Sequence, residues 1–191
     1  MKIKKRFGKV LLAIGIVLIS ISVIMVIKYE LQDMKSGKII KDVLHKIEEY
    51  DAQDHDDSML YRINDTKYIG VLNIPSLGVV LPICSEWNSE NSEKGVCRYL
   101  GNIDERNLIL AGHNYRSMLR SLSEIETGSE IIITDINQAE HHYTVTYTEV
   151  VGGYNSKAMI SGEWDMTVFT CTIPGNTRYV VRCVLNERVK T

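Results

Sequence analysis

Trp164-Asp-Met-Thr-Val-Phe-Thr-Cys171 runs into Thr172-Ile-Pro-Gly-Asn-Thr177 and returns as Arg178-Tyr-Val-Val-Arg-Cys-Val-Leu185. Two β-rich runs around a short turn-forming connection read as an antiparallel hairpin. Strand side chains alternate, so Tyr179, Val181, Cys183 and Leu185 share one face and Arg178, Val180, Arg182 and Val184 the other. Mainly apolar companions make Cys183 a core residue. Cys171 instead ends its strand and opens a loop, where functional groups become accessible. Arg178 begins the return strand just across that loop. Arg182 points the same way but lies four residues further on, roughly 13 Å at ~3.3 Å per residue. Arg178 is therefore the better companion for Cys171.

The same texture extends upstream. Tyr68-Ile-Gly-Val-Leu-Asn-Ile74 meets Pro75, and Leu77-Gly-Val-Val-Leu81 meets Pro82, as prolines fit strand ends or edges. Further runs are Asn107–Ala111, Ile131–Thr134 and His142–Val151, the last alternating at Tyr143, Val145 and Tyr147. Asp135–Glu140 suits a hairpin loop, and Met118, Leu119, Leu122 and Ile125 form a helix-like interruption. Many short strands with little helix between them point to a β-barrel or sandwich.

The N-terminal end is different. Lys2, Lys4, Lys5, Arg6 and Lys9 precede Val10–Ile27, 18 residues with no charge and no proline. With its flanks this run reaches the ~20 residues of a bilayer-spanning helix. A cleaved signal peptide has a shorter apolar region ending at a small-x-small site; here Ser20-Ile-Ser22 lies inside the run. The basic end is expected in the cytoplasm and the rest outside. Ile39, Ile40, Val43, Leu44 and Ile47 recur at helical spacing, giving an amphipathic helix to about Tyr50 that serves as a stalk or lies against the domain. Asp51-Ala-Gln-Asp-His-Asp-Asp57 is acidic but lacks calcium-loop spacing and the turn glycine, and reads as a solvated linker. The resulting division is a basic tail at 1–9, an anchor at 10–27, stalk and linker at 28–67, and a domain at 68–191.

Whole-chain charge is −2, and without the five N-terminal basic residues it is −7. Such a remainder argues against nucleic acid as a partner. The four cysteines, Cys84, Cys97, Cys171 and Cys183, belong to an exported domain, where disulfides form. Cys84 and Cys97 either bridge or remain half-buried thiols. No CxxC occurs, and adjacent His141 and His142 point to opposite faces of a strand, so no metal or cofactor site is expected. His113 follows an apolar run and Gly112, at a strand exit, and has the best claim among the histidines. His45 falls in the stalk, His55 in the linker, and His141 and His142 at a hairpin edge. A thiol nucleophile, an imidazole for proton transfer and a permanently charged guanidinium for an oxyanion are the groups acyl transfer needs.

Four segments in order, Leu72-Asn-Ile-Pro-Ser-Leu-Gly78, Leu108-Ile-Leu-Ala-Gly-His113, Thr167-Val-Phe-Thr-Cys171 and Arg178-Tyr-Val-Val-Arg182, resemble the sortases. These are membrane-anchored cysteine transpeptidases of the Gram-positive cell surface. Lys94-Gly-Val96 and Thr127-Gly-Ser129 also sit where the family has a Lys-Gly-Val and a Gly-Asp. The resemblance spans Tyr68 to about Asn186. Val168 replaces a usual leucine, Ser129 an aspartate, and Cys97 a glycine or alanine. Asn114 is similar to class B sortases without their long insertion, while the Cys171–Arg178 interval resembles a shortened form of the pilin-polymerising class; the class stays open.

The resemblance implies a closed, mostly β barrel of about eight strands with short helices. It implies His113, Cys171 and Arg178 as catalytic residues, with Thr170 and Asn114 as candidate substrate contacts. The implied partners are secreted proteins bearing a C-terminal Leu-Pro-x-Thr-Gly-type signal, and an amine on a peptidoglycan precursor or another surface protein. An exported cysteine peptidase using water, and a silent surface-binding domain, are the rival readings.

Overall fold

The computed structural model describes residues 2–49, 60–173 and 175–186, with side chains from Gly8 onward. The acidic run 51–57 with His55, Tyr50, to about which the sequence pattern extends the first helix, Pro174 and residues 187–191 lie outside the described residues. The chain divides into two compact units, Met1–Lys35 and Ser36–Thr191.

Helix α1 (Lys2–Glu48) is continuous, so anchor and stalk are one element rather than two. Nothing in the sequence breaks it, since the run contains no proline and Gly8, Gly15 and Gly37 are isolated. Its N-terminal stretch is long and apolar enough to cross a membrane, and its Val, Leu and Ile side chains from Val10 to Ile27 are exposed.

Within the second unit, residues 36–48 of α1 lie on the domain. Ile40, Val43 and Ile47 are buried; Val43 and Ile47, with Ile39 packed against them, join a cluster that includes Tyr61, Ile63, Tyr68, Cys84 and Cys97. Burying three such side chains contributes about 1.5–3 kcal/mol each. The amphipathic stripe read from the sequence is thus a packing face.

The strands are β1 (Tyr61–Ile63), β2 (Thr66–Ile74), β3 (Val79–Cys84), β4 (Val96–Leu100), β5 (Leu108–Gly112), β6 (Glu130–Asp135), β7 (Glu140–Gly152), β8 (Met166–Cys171) and β9 (Thr177–Leu185). A short helix, α2 (Ser156–Ile160), lies between β7 and β8. Pairing in the order β2-β3-β4-β5-β8-β9-β7-β6, with β6 returning to β2, closes eight strands into a barrel. The β3–β4 and β5–β8 pairs are parallel and the rest antiparallel. At the closure β2 changes partner, from β1 over residues 66–68 to β6 over residues 70–73. Gly70, at φ 150°, stands at that change, where a Cβ would strike the Thr134 carbonyl. Only glycine accepts both conditions.

Leu72, Ile74, Leu81, Leu108, Leu110, Ile131, Ile133, Tyr143, Val145, Val168 and Val181 are buried. On a second layer Ile109, Ala111, Phe169 and Val180 pack with Val151 and with Met159 of α2. Strands β5 and β8 are therefore buried on both faces, which explains their continuous apolar runs.

Three sequence expectations change in detail. β3 begins at Val79, because Pro75–Leu77 is a 3-10 turn ending at left-handed Gly78, and it continues through Pro82. Pairing with β4 starts only at Ile83, so Pro82 sits where one edge is open. A register shift between Val145 and Tyr147 breaks the alternation and leaves Tyr147 exposed.

Candidate active site

Register assembles the site. In the β8–β9 hairpin Cys171 pairs directly with Arg178. In the parallel β5–β8 pair Gly112 faces Thr170, so His113 and Cys171 are each the next residue along neighbouring strands. The Thr170 hydroxyl donates to the Gly112 carbonyl at 2.9 Å and ties those two strand ends together. Gly112 is required for space: a Cβ there would meet Leu119 Cδ1 at 2.8 Å and Val96 Cγ1 at 3.0 Å. The loop after Cys171 is closed by Thr172 N–H donating to the Thr177 carbonyl at 3.0 Å, with their hydroxyls also in contact. Arg178 Nη1 donates to the Gly175 and Thr177 carbonyls at 2.9 and 3.0 Å, which orients the guanidinium from the loop side.

His113, Cys171 and Arg178 line one cleft of about 290 Å³. Trp87, Tyr99 and Met159 are also on its walls, and Tyr99 meets Phe169 edge-on with centroids 5.5 Å apart. Cys171 is half-buried. The His113 ring stacks on Tyr115 at 4.8 Å and lies 6.0 Å from Trp87. Its Nε2 is 3.1 Å from Ser92 Oγ and 3.4 Å from Glu93 Oε1. Burial holds the imidazole below the ordinary histidine range, and the Glu93 carboxylate acts in the opposite direction.

The other residues singled out by sequence divide clearly. Thr170 is on the cleft wall with its hydroxyl committed to Gly112, whereas Asn114 is not among the lining residues. Arg182 is 2% exposed and paired with Glu149 at 2.8 Å inside the fold. Cys183 is fully buried, and burial pushes its thiol up to about 12. Cys84 and Cys97 are free thiols, buried and in register on parallel strands; the Cys97 hydrogen bond, then burial, raises Cys84. His141 pairs with Asp135, and His142 with Glu130 and Glu140. A depression of about 650 Å³ beside these histidines holds no cysteine.

Sequence reading missed Trp87, Ser92, Glu93 and Tyr99. All four come from the β3–β4 connection and β4. Trp87, Ser92 and Glu93 reach His113, and Tyr99 reaches the cleft wall, because β4 pairs with β5. No spacing between them announces this.

Residues 72–186 match the family model described as Sortase domain. Among solved structures, a Clostridium perfringens Sortase D5 transpeptidase is 21% identical with a TM-score of 0.63, covering 80% of this chain and 99% of that one. Listeria monocytogenes sortase A is 23% identical with a TM-score of 0.58, covering 63% and 88%. Streptococcus agalactiae sortase C1, in complex with MTSET, is 21% identical with a TM-score of 0.55, covering 65% and 70%. Comparison with curated proteins returns no match. The chain belongs to the sortase family and has a barrel like those of solved sortases.

Proposed function

We propose that this chain is a membrane-anchored transpeptidase that cuts a Leu-Pro-x-Thr-Gly-like sorting signal near the C-terminus of a secreted protein and joins that protein to an amine. The observation that carries the reading is the direct pairing of Cys171 with Arg178, with His113 beside them in the same cleft. Residues 1–9 form a cytoplasmic tail and 10–27 the anchor, followed by stalk and linker at 28–67. Residues 68–191 form the catalytic domain on the outer surface. There secreted substrates and cell-wall or protein amines are both present.

The Cys171 thiolate attacks the carbonyl carbon of the penultimate motif residue and forms a tetrahedral intermediate. Arg178 balances the oxyanion charge; Nη1 is engaged by the loop carbonyls, leaving the other guanidinium N–H groups for the substrate. Because the Thr170 hydroxyl donates to Gly112, its contribution is to fix Cys171 against His113. Protonated His113 gives its proton to the leaving amine as the C–N bond breaks, producing a thioester. An incoming amine then attacks the thioester carbonyl, neutral His113 takes its proton, and the Cys171 thiolate departs.

Intact-mass spectrometry of the full chain in lipid nanodiscs, mixed with sorting-signal peptides and with glycine or diaminopimelate-like amines, tests this. A peptide adduct on Cys171 that is absent in Cys171→Ala and discharged by amine into a new peptide is expected. Discharge by water alone would make the chain a peptidase. Absence of any adduct in folded, reduced protein would favour a silent binding domain.

A further inference from the structure

His113 sits in a chain of contacts that leads away from the cleft. Glu93 Oε1 lies 3.4 Å from His113 Nε2 and accepts a hydrogen bond from the Tyr115 hydroxyl at 3.3 Å. The Tyr115 ring in turn stacks on the imidazole. On the far side of Glu93, the Ser36 hydroxyl of α1 donates to the Glu93 backbone carbonyl at 2.7 Å and to Oε2 at 3.0 Å. Ser36 itself is buried. Both carboxylate oxygens are thus held, one toward the helix and one toward the histidine.

We propose that Glu93 is a positioning residue for His113, holding the imidazole in place and favouring its protonated form, and that Ser36 fixes Glu93 for this task from α1. The inference rests on the reading of His113 as the proton-transfer group. Charged and titratable groups around the imidazole are Glu93 and Tyr115 on one side, and Cys171 and Arg178 across the cleft. Glu93 is the one whose charge stabilises the imidazolium against the cost of burial. A neutral amide of the same shape removes that charge and keeps one of the two acceptor oxygens. The fraction of protein able to protonate the leaving amine then falls, while the cleft walls that bind peptide are untouched. α1 acquires a role besides anchoring, since its Ser36 sets the carboxylate that sets the acid.

The test is the titration of His113 in the full chain, carried in lipid nanodiscs and labelled with carbon-13 at its histidines. The His113 signal is assigned by its loss in His113→Gln. The expected midpoint falls by about one unit in Glu93→Gln, since an opposite charge at this range is worth one unit or more, and falls less in Ser36→Ala. Glu93→Asp recovers most of the shift. In parallel, kcat for adduct formation at neutral pH drops by about tenfold in Glu93→Gln, the factor one pKa unit produces, with KM within twofold. A His113 midpoint unchanged in Glu93→Gln overturns the proposal, as does a loss confined to KM. If the wild-type chain forms no adduct with any peptide, the functional reading fails, while the midpoint comparison still decides the role of Glu93.

Discussion

Replacing Arg182 by methionine separates the two arginines of β9 by their consequences. Arg182 donates through Nε and Nη2 to Glu149, at 3.1 and 2.8 Å, and through Nη1 to Thr167 Oγ1 at 3.0 Å and the Met159 carbonyl at 2.9 Å. Nη2 also donates to the Ala158 carbonyl. Ala158 and Met159 belong to α2, so Arg182 supplies donors to carbonyls at the helix end that have no intrahelical partner. Removing one member of a buried ion pair costs about 3–5 kcal/mol. The Glu149 side chain is 29% exposed and regains some water, which places the loss near the lower end. Methionine fills much of the space, so little cavity cost is added. The expected loss is therefore about 3 kcal/mol, a large share of the ~5–15 kcal/mol that holds a typical domain. Arg178→Met removes only contacts to loop carbonyls, within about 0.5 kcal/mol for such a partly exposed site. It should instead slow adduct formation by about 10²–10³-fold, as loss of an oxyanion donor does. Urea unfolding of the full chain in detergent, beside the adduct rate, reads both. A loss below 1 kcal/mol for Arg182→Met, or an active Arg178→Met, refutes the assignment.

A thiol reagent added to the folded chain should modify Cys171 alone, because Cys84, Cys97 and Cys183 are fully buried; rapid labelling of a second cysteine before unfolding would contradict the packing. The Tyr143 hydroxyl is buried with no hydrogen-bond partner among the described residues, so Tyr143→Phe should leave stability unchanged or raise it by up to about 1 kcal/mol. A loss exceeding 1 kcal/mol in urea unfolding would reveal a partner for that hydroxyl. The folded His113 pKa lies below its unfolded value near 6.5, so between the two the unfolded chain binds the extra proton and stability is lost as pH falls. His113→Gln should flatten the pH dependence across that window, and parallel curves for variant and wild type would count against the shift.

Strands were legible where the local pattern was decisive. Leu108–Ala111 and Met166–Cys171 are apolar throughout because both faces are covered, and the Cys171–Arg178 hairpin follows from the Pro-Gly-Asn connection. β1 and β4 went unread. The Asn64-Asp65 pair joining β1 to β2 has φ 46° and 62°, the signature of a two-residue hairpin turn, but Tyr61–Ile63 is only three residues long. β4 mixes Arg98 with Tyr99 and Leu100 because its end is exposed at the cleft. α2 is a single short turn with Asn155 as its cap, too brief for a periodic signal. The buried Arg182 was unreadable for another reason. Its alternation with Arg178 is correct, but the outer face of β9 is covered near Arg182 by α2 and open near Arg178.

Cys171 and Arg178 lie on β8 and β9 and His113 directly follows β5, and what unites them is register. Sliding β9 by one residue against β8 would oppose Cys171 with Thr177 or Tyr179, and would turn every β9 side chain to the other face. Arg178 would leave the cleft and Arg182 would lose Glu149 in the same movement. The Arg182–Glu149 pair spans β9 and β7, whose register runs from Tyr143–Leu185 to Gly152–Thr177. A buried charge with fixed partners penalises every other alignment far more than apolar side chains would, since a slipped valine still meets an apolar neighbour. Of the two arginines on that face, the buried one thus aligns the strand that carries the one in the cleft. Thr170 acts the same way on the other side, its hydroxyl matching Gly112 in one register of β5 and β8. Two buried polar contacts, one beneath α2 and one between the ends of β5 and β8, therefore favour the register in which this thiol, imidazole and guanidinium share a cleft.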